Sequence, residues 1–218
     1  MLSEAVQDYV KQIYLLQRRE GKATTSGLAA AMDVSAASAT AMVKKLDGMG
    51  LVSHTPYRGV ELTEAGERIA LEVLRHHRLL ELYLTQALGL SWDQVHVEAE
   101  RLEHVLSDEL EASIDQALGH PATDPHGDPI PTADLVIAPD PRQRLVDLEP
   151  GQAAVVRQVP DGDPSLLRYL GDLGLVPEAG VAMVDKAPFG GPLTVDVSGT
   201  RHALGVELAS RIRVEAGA

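Results

Sequence analysis

At 218 residues and 44% hydrophobic side chains, the chain has room for one to three small domains, and no run nears the ~18 apolar residues of a membrane-spanning helix. The absence of cysteine excludes disulfides and thiolate metal sites and fits a cytoplasmic setting. A net charge of −13 argues against nucleic acid as a partner only until its distribution is read: residues 1–66 hold seven Lys/Arg and seven Asp/Glu, so the whole excess lies beyond them.

Met1-Leu2-Ser3-Glu4 lacks the basic flank and apolar core of a secretory signal. Residues 3–19 then read as an amphipathic helix with Ser3 as N-cap, Val6, Val10, Ile13, Tyr14 and Leu16 inside, and Gly21 as terminator. Two short helices follow, about Thr25 to Met32 and Ser35 to Met49. The second has Met42, Val43 and Leu46 for core contacts, while its first turns offer small groups at Ser35, Ala37, Ser38 and Thr40, followed by Lys44 and Lys45. Small side chains let a helix approach base edges in a major groove, and lysines reach phosphates. Strands at Gly50-Leu51-Val52 and Val60-Glu61-Leu62, joined by a Pro56–Gly59 turn, complete the winged helix-turn-helix order, with Tyr57 and Arg58 at the wing tip.

Thr63 caps a long helix reaching about Leu88, whose Ile69, Val73, Leu80 and Leu84 form one stripe. His77 and Glu81 fall at i, i+4, a spacing at which imidazole and carboxylate can share a cation. After Gly89 a second helix is expected to run through His96–Glu109. It would place Glu100, Glu103 and His104 at i, i+3 and i+4 on one face, with His96 a turn earlier and Val97, Leu102, Val105, Leu106 and Leu110 interleaved as an apolar stripe. Carboxylates and imidazoles without sulfur suit a hard or borderline divalent ion. The plain alternative is a charged, solvated helix face.

Residues 119–148 are Pro-rich and read as a linker, in which His120 and His126 are expected to be solvated. Beyond it, apolar runs at Ala153–Val159, Val181–Val184, Leu193–Val197 and Ile212–Val214, with one helix near Pro164–Leu173, suggest a small SH3-like barrel. Asp161 and Asp163, just before that helix, are capping or turn residues that could also serve a metal. The expected architecture is therefore a mainly α N-terminal part, with a winged helix-turn-helix at 1–66 and a helical metal-binding and dimerisation domain at 67–138. An SH3-like β-barrel, preceded by a Pro-rich connection, occupies 139–218.

In this order, the motifs D-Y-V-K-Q-I-Y-L-L (Asp8–Leu16), M-V-K-K-L-D (Met42–Asp47), Y-R-G-V-E-L-T (Tyr57–Thr63), H-R-L-L-E (His77–Glu81) and V-E-A-E-R-L-E-H-V-L-S-D-E (Val97–Glu109) resemble the diphtheria-toxin-repressor family of metal-dependent transcription regulators. The N-terminal two-thirds is most similar to the family's manganese branch. L-G-L-V-P-E-A-G (Leu173–Gly180) and A-P-F-G-G-P (Ala187–Pro192) resemble FeoA-type SH3-like domains. The resemblance implies a primary metal held by Asp8, Glu100, Glu103 and His104, and an ancillary one at His77, Glu81 and His96, completed from the loop around Asp161 and Asp163. Iron-type relatives carry Met and Cys where this chain has Asp8 and Glu100, and two oxygens in place of two sulfurs harden the site toward Mn2+, with Fe2+ possible. Manganese-type relatives often have Glu at the position of Lys11, so a closely spaced two-metal site is not expected here. The implied function is a cytoplasmic, homodimeric, Mn(II)-dependent repressor of metal-uptake genes that binds double-stranded operator DNA. Two other readings stand beside it: an Fe(II)-responsive or organic-effector regulator, and a metalloenzyme, for which no nucleophile–base pair is evident.

Overall fold

The computed structural model describes residues 2–55, 59–137 and 139–216, so Tyr57 and Arg58 lie outside the described residues. The chain divides into two compact units. The first comprises Met1–His77, Leu102–Ser107 and Pro131–Val136; the second comprises Arg78–Arg101, Asp108–Ile130 and Ile137–Ala218.

In the first unit the spacing of Val6, Val10, Ile13 and Leu16 drives helix α1 (Glu4–Glu20) to bury one flank, and Gly21 ends it in the left-handed conformation with its N–H on the Gln17 carbonyl. Ser3 occupies the N-cap position but its side chain caps nothing. Thr24 caps α2 (Thr25–Ala31) and Ser35 caps α3 (Ala36–Gly48), each accepting an N–H of the first turn. Ala39, Val43 and Leu46 of α3 are buried, whereas Met42 is only half-buried. Strands β1 (Val52–Thr55) and β2 (Gly59–Leu62) pair antiparallel, Val52 opposite Leu62. Helix, helix, helix and hairpin thus appear as expected.

Thr63 joins the hairpin to α4 (Glu64–Leu88): its hydroxyl donates to the Gly50 carbonyl and accepts the Gly66 N–H. Gly66 packs so closely there that a Cβ would lie 2.0 Å from the Leu51 carbonyl oxygen. Backbone must therefore move to admit any side chain, and Gly66→Ala is expected to destabilise the protein by roughly 3 kcal/mol, read as a lowered midpoint in thermal unfolding.

Helix α5 covers only Val95–Leu102, and α6 begins at Asp108 and runs to Ala117. The expected continuous helix through His96–Glu109 is therefore broken, and Glu103 and His104 stand on a turn. One distant and one local force explain the break. The Glu103 carbonyl accepts His76 Nδ1 at 2.9 Å, and Ser107 followed by Asp108, Glu109 and Glu111 gives a new helix N-terminus the negative charge its dipole favours. Val97, Leu102, Val105 and Leu110, expected as an apolar stripe, are 39–72% exposed.

In the second unit the Pro-rich segment is no solvated linker. Asp124, His126 and Ile130 are buried, and Arg78, from α4, donates to the Pro129 carbonyl and to Asp128. Prolines have no N–H with which to build a ladder, and here a side-chain donor satisfies the Pro129 carbonyl. His120 is exposed and paired with Asp115. The C-terminal sheet has the order β3-β8-β4-β5-β6-β7, with every pair antiparallel. Its strands are β3 (Gln143–Arg144), β4 (Ala153–Gln158), β5 (Gly180–Lys186), β6 (Leu193–Val197), β7 (Thr200–Leu204) and β8 (Arg213–Ala216), with α7 (Pro164–Asp172) and α8 (Val206–Arg211) between them. Leu145, Val156, Leu167, Leu170, Met183, Val195, Leu204 and Ile212 centre its core. Strand β7 and helix α8 were not expected from sequence, because β7 buries only Leu204 and α8 is barely more than a turn.

Candidate metal centre

In the first unit, α1 and the turn after α5 bring three of the expected primary ligands together. His104 Nε2 is 3.0 Å from Asp8 Oδ1 and 3.5 Å from Glu103 Oε1, and one ligand atom from each residue lies within 4.8 Å of the others. The other ring nitrogen, Nδ1, donates to Gln7 Oε1 at 2.6 Å. With Nδ1 donating, Nε2 is the ring atom turned to the two carboxylates, where it can ligate once it carries no proton. The oxygen and nitrogen donors fit a hard or borderline divalent ion. Gln7 escaped sequence reading because nothing in the pattern marks the neighbour of Asp8 as an orienting group.

Glu103 is buried and doubly held. Lys11 Nζ lies 2.5 Å from Oε1 and His77 Nδ1 lies 2.5 Å from Oε2. Burial alone would raise its carboxyl, but the His77 hydrogen bond and the Lys11 charge outweigh it and hold the group below the usual range. Lys11 is itself buried, a resident cation beside the centre. His77, expected on the ancillary site, thus gives Nδ1 to a primary-site carboxylate.

The remaining expected ligands lie in the second unit. His96 joins Glu81 to Glu100: its Nδ1 is 3.1 Å from Glu81 Oε1 and its Nε2 is 3.7 Å from Glu100 Oε1. Asp163 caps α7, its Oδ1 accepting the Ser165 and Leu166 N–H groups, and Asp161 lies near enough to Asp128 to raise its carboxyl electrostatically. A second buried group was missed altogether. Glu81, Asp124 and His126 also bring ligand atoms within 4.8 Å of one another. Burial pushes Asp124 well up, with the charges of Asp128 and Glu81 adding to it, and pushes Asp128 up to about 6. Burial opposes charge on His126, yet Glu81 and Asp124 overcome it and raise the imidazole to about 9. The D-P-H-G-D spacing at Asp124–Asp128 was the signal available in sequence.

Also in the first unit, α3 presents Ser35, Ala37, Ser38, Lys44 and Lys45 to solvent, with Thr40 half-buried and bonded back to the Ala36 carbonyl.

Comparison with known proteins decides the family. Residues 1–60 match the model of the iron dependent repressor N-terminal DNA binding domain, 63–132 that of the iron dependent repressor metal binding and dimerisation domain, and 143–216 the FeoA domain. The iron-dependent repressor IdeR of Mycobacterium bovis is 35% identical over 227 residues, covering 98% of each chain. The chain belongs to the diphtheria-toxin-repressor family of metal-dependent transcriptional repressors. Among solved structures, a manganese-dependent transcriptional repressor in complex with manganese is similar to this repressor at a TM-score of 0.90 and 39% identity, covering 97% of this chain and 100% of that one. The manganese regulator SloR follows at 0.84 and 30%, covering 97% and 98%. The repressor is thus a DNA-binding regulator and not an enzyme, with a helical N-terminal region and a small C-terminal β domain of FeoA type. IdeR is named for iron and these two structural neighbours for manganese. Among the described residues no single helix is long and apolar enough to cross a membrane.

Proposed function

We propose that this repressor is a cytoplasmic, homodimeric, Mn2+-dependent repressor of metal-uptake genes. Its primary ion is assigned to Asp8, Glu100, Glu103 and His104. An ancillary ion is assigned to His77, Glu81 and His96, with Asp161 and Asp163 as the C-terminal contribution. The observation that carries the reading is the convergence of His104 Nε2 on the Asp8 and Glu103 carboxylates, at 3.0 and 3.5 Å, a donor set without sulfur. When bound, a divalent ion supplies the positive charge that offsets those carboxylates. Asp8 then ties α1 to the Glu103–His104 turn, and with it the position of the winged helix. The exposed Val97, Leu102, Val105 and Leu110 supply an apolar face for a second copy, and a two-fold dimer sets the separation of two α3 helices on a two-fold operator. The domain division is 1–66, 67–138 and 139–218.

Ser35, Ala37, Ser38 and Thr40 are assigned to base edges and Lys44 and Lys45 to phosphates, with Tyr57 and Arg58 at the wing. Lys44→Ala is expected to weaken binding to all sequences alike and to lower the salt slope by about 1, measured by fluorescence anisotropy at several salt concentrations. The 35% identity to an iron-dependent repressor favours Fe2+ as the second reading. Operator binding measured with Mn2+, with anaerobic Fe2+ and with chelator separates the cases. Mn2+ should activate at lower free concentration than Fe2+. A lower requirement for Fe2+ would transfer the assignment to iron, and equal affinity in all three conditions would remove metal dependence altogether.

A further inference from the structure

We propose that His76 is a positioning residue of the primary metal centre. With its neighbour His77 it clamps Glu103 to α4, so that the Glu103–His104 turn faces Asp8 before a divalent ion arrives. The inference rests on the assignment of that centre under the proposed function and adds a residue outside its ligand set.

Glu103 is gripped at both ends. Its backbone carbonyl lies 2.9 Å from His76 Nδ1; a carbonyl only accepts, so Nδ1 carries the hydrogen. Its Oε2 lies 2.5 Å from His77 Nδ1. Successive side chains leave a helix about 100° apart, so the two rings straddle the residue, one on its main chain and one on its side chain. The other carboxylate oxygen, Oε1, is thereby turned to Lys11 Nζ at 2.5 Å and His104 Nε2 at 3.5 Å. His76 and Glu103 are both buried, so water does not freely replace a partner that is lost.

The carbonyl bond also decides where the turn falls. In a helix continued from α5, the Glu103 carbonyl would accept the N–H four residues on, that of Ser107. His76 takes that carbonyl instead, α5 stops at Leu102, and the Val105 N–H turns back to the Leu102 carbonyl at 3.1 Å. His104 is left on the turn with Nε2 at 3.0 Å from Asp8. The two carboxylates of the centre then differ: that of Glu103 is fully buried, whereas that of Asp8 is 33% exposed. The half held by α4 is set in advance, and the half on α1 is the one an ion draws in. A ligand turn already fixed by outer hydrogen bonds binds metal more tightly, because less ordering is left to accompany binding.

The test is calorimetric Mn2+ binding to the full-length protein in wild type, His76→Phe and His76→Asn, following the ion that His104→Ala removes. Phe keeps a ring without a donor, and Asn keeps an N–H donor near the position of Nδ1. His76→Phe should bind that ion at least about tenfold more weakly, with His76→Asn within about threefold of wild type. A merely structural role would lower the thermal midpoint of His76→Phe and leave its Mn2+ affinity unchanged. In the metal-free protein, amide hydrogen exchange over 103–107 should quicken in His76→Phe and not in His76→Asn. Equal Mn2+ affinity in wild type and His76→Phe overturns the inference and leaves the proposed function standing. Unchanged exchange in His76→Phe, or a loss of about tenfold in His76→Asn, does the same. Where His76→Phe does not fold, His76→Asn decides alone: wild-type affinity upholds the clamp and the tenfold loss removes it. A wild type with no Mn2+ at Asp8, Glu103 and His104 overturns both readings.

Discussion

Replacing His104 with alanine is expected to abolish the Mn2+-induced gain in operator affinity while leaving the metal-free affinity unchanged. The ring is the meeting point of the primary centre: Nε2 faces Asp8 and Glu103, and Gln7 sets the tautomer through Nδ1. Coupling free energies between sites in such switches are about 1–3 kcal/mol, or roughly 5- to 150-fold in affinity, and that whole factor should disappear. Gln7→Leu tests the positioning separately. It leaves every ligand in place but frees the ring, and loss of such an outer partner typically weakens metal binding about 10- to 100-fold. Anisotropy titrations of labelled operator at increasing Mn2+ read both effects. In Gln7→Leu, excess Mn2+ should restore the response. A full Mn2+ response in His104→Ala would remove the residue from the regulatory site.

The second large effect is expected at Lys11. Lys11 is 3% exposed and its ammonium is bound to Glu103, itself 1% exposed, so the pair is desolvated on both sides. Removing one member of a buried pair strands the other charge at a cost of about 3–5 kcal/mol. Lys11→Gln should therefore lower the thermal midpoint of the metal-free protein markedly. The same substitution removes a positive charge that competes with an incoming cation for Glu103, so Mn2+ should bind at least tenfold more tightly and recover most of the lost stability by mass action. Thermal unfolding with chelator and with saturating Mn2+ reads both directions. A stable metal-free Lys11→Gln that binds Mn2+ no more tightly would mean that Lys11 neither supports Glu103 nor opposes the metal.

Much of the architecture was legible because it rests on local rules. The 3.6-residue spacing of Val6, Val10, Ile13 and Leu16, the Ser35 cap and the apolar strand pair around Val52 and Val60 each specify their element from nearby residues. The errors fall where distant groups decide. Nothing between Val97 and Glu109 forbids a continuous helix; the break comes from His76, which takes the Glu103 carbonyl, and from a restart signal at Ser107-Asp108-Glu109 that was read as more helix. His126 was assigned to solvent because the surrounding prolines suggested a linker. The ring is held by the Trp92 carbonyl, and the segment around it by Arg78 from α4; no local pattern encodes those. The residue types of the metal centre were visible in the sequence, but the competition at Glu103 between Lys11 and an incoming ion was not, since 92 residues separate that pair.

The central claim is that metal at the Asp8–Glu103–His104 centre and operator DNA at α3 select the same form of the protein. Coupling of this kind is reciprocal, so calorimetric Mn2+ titration with and without saturating operator tests it most directly. Operator DNA should tighten Mn2+ binding by the same factor by which Mn2+ tightens operator binding, and His104→Ala should show neither change. Equal Mn2+ affinity with and without operator would contradict the account.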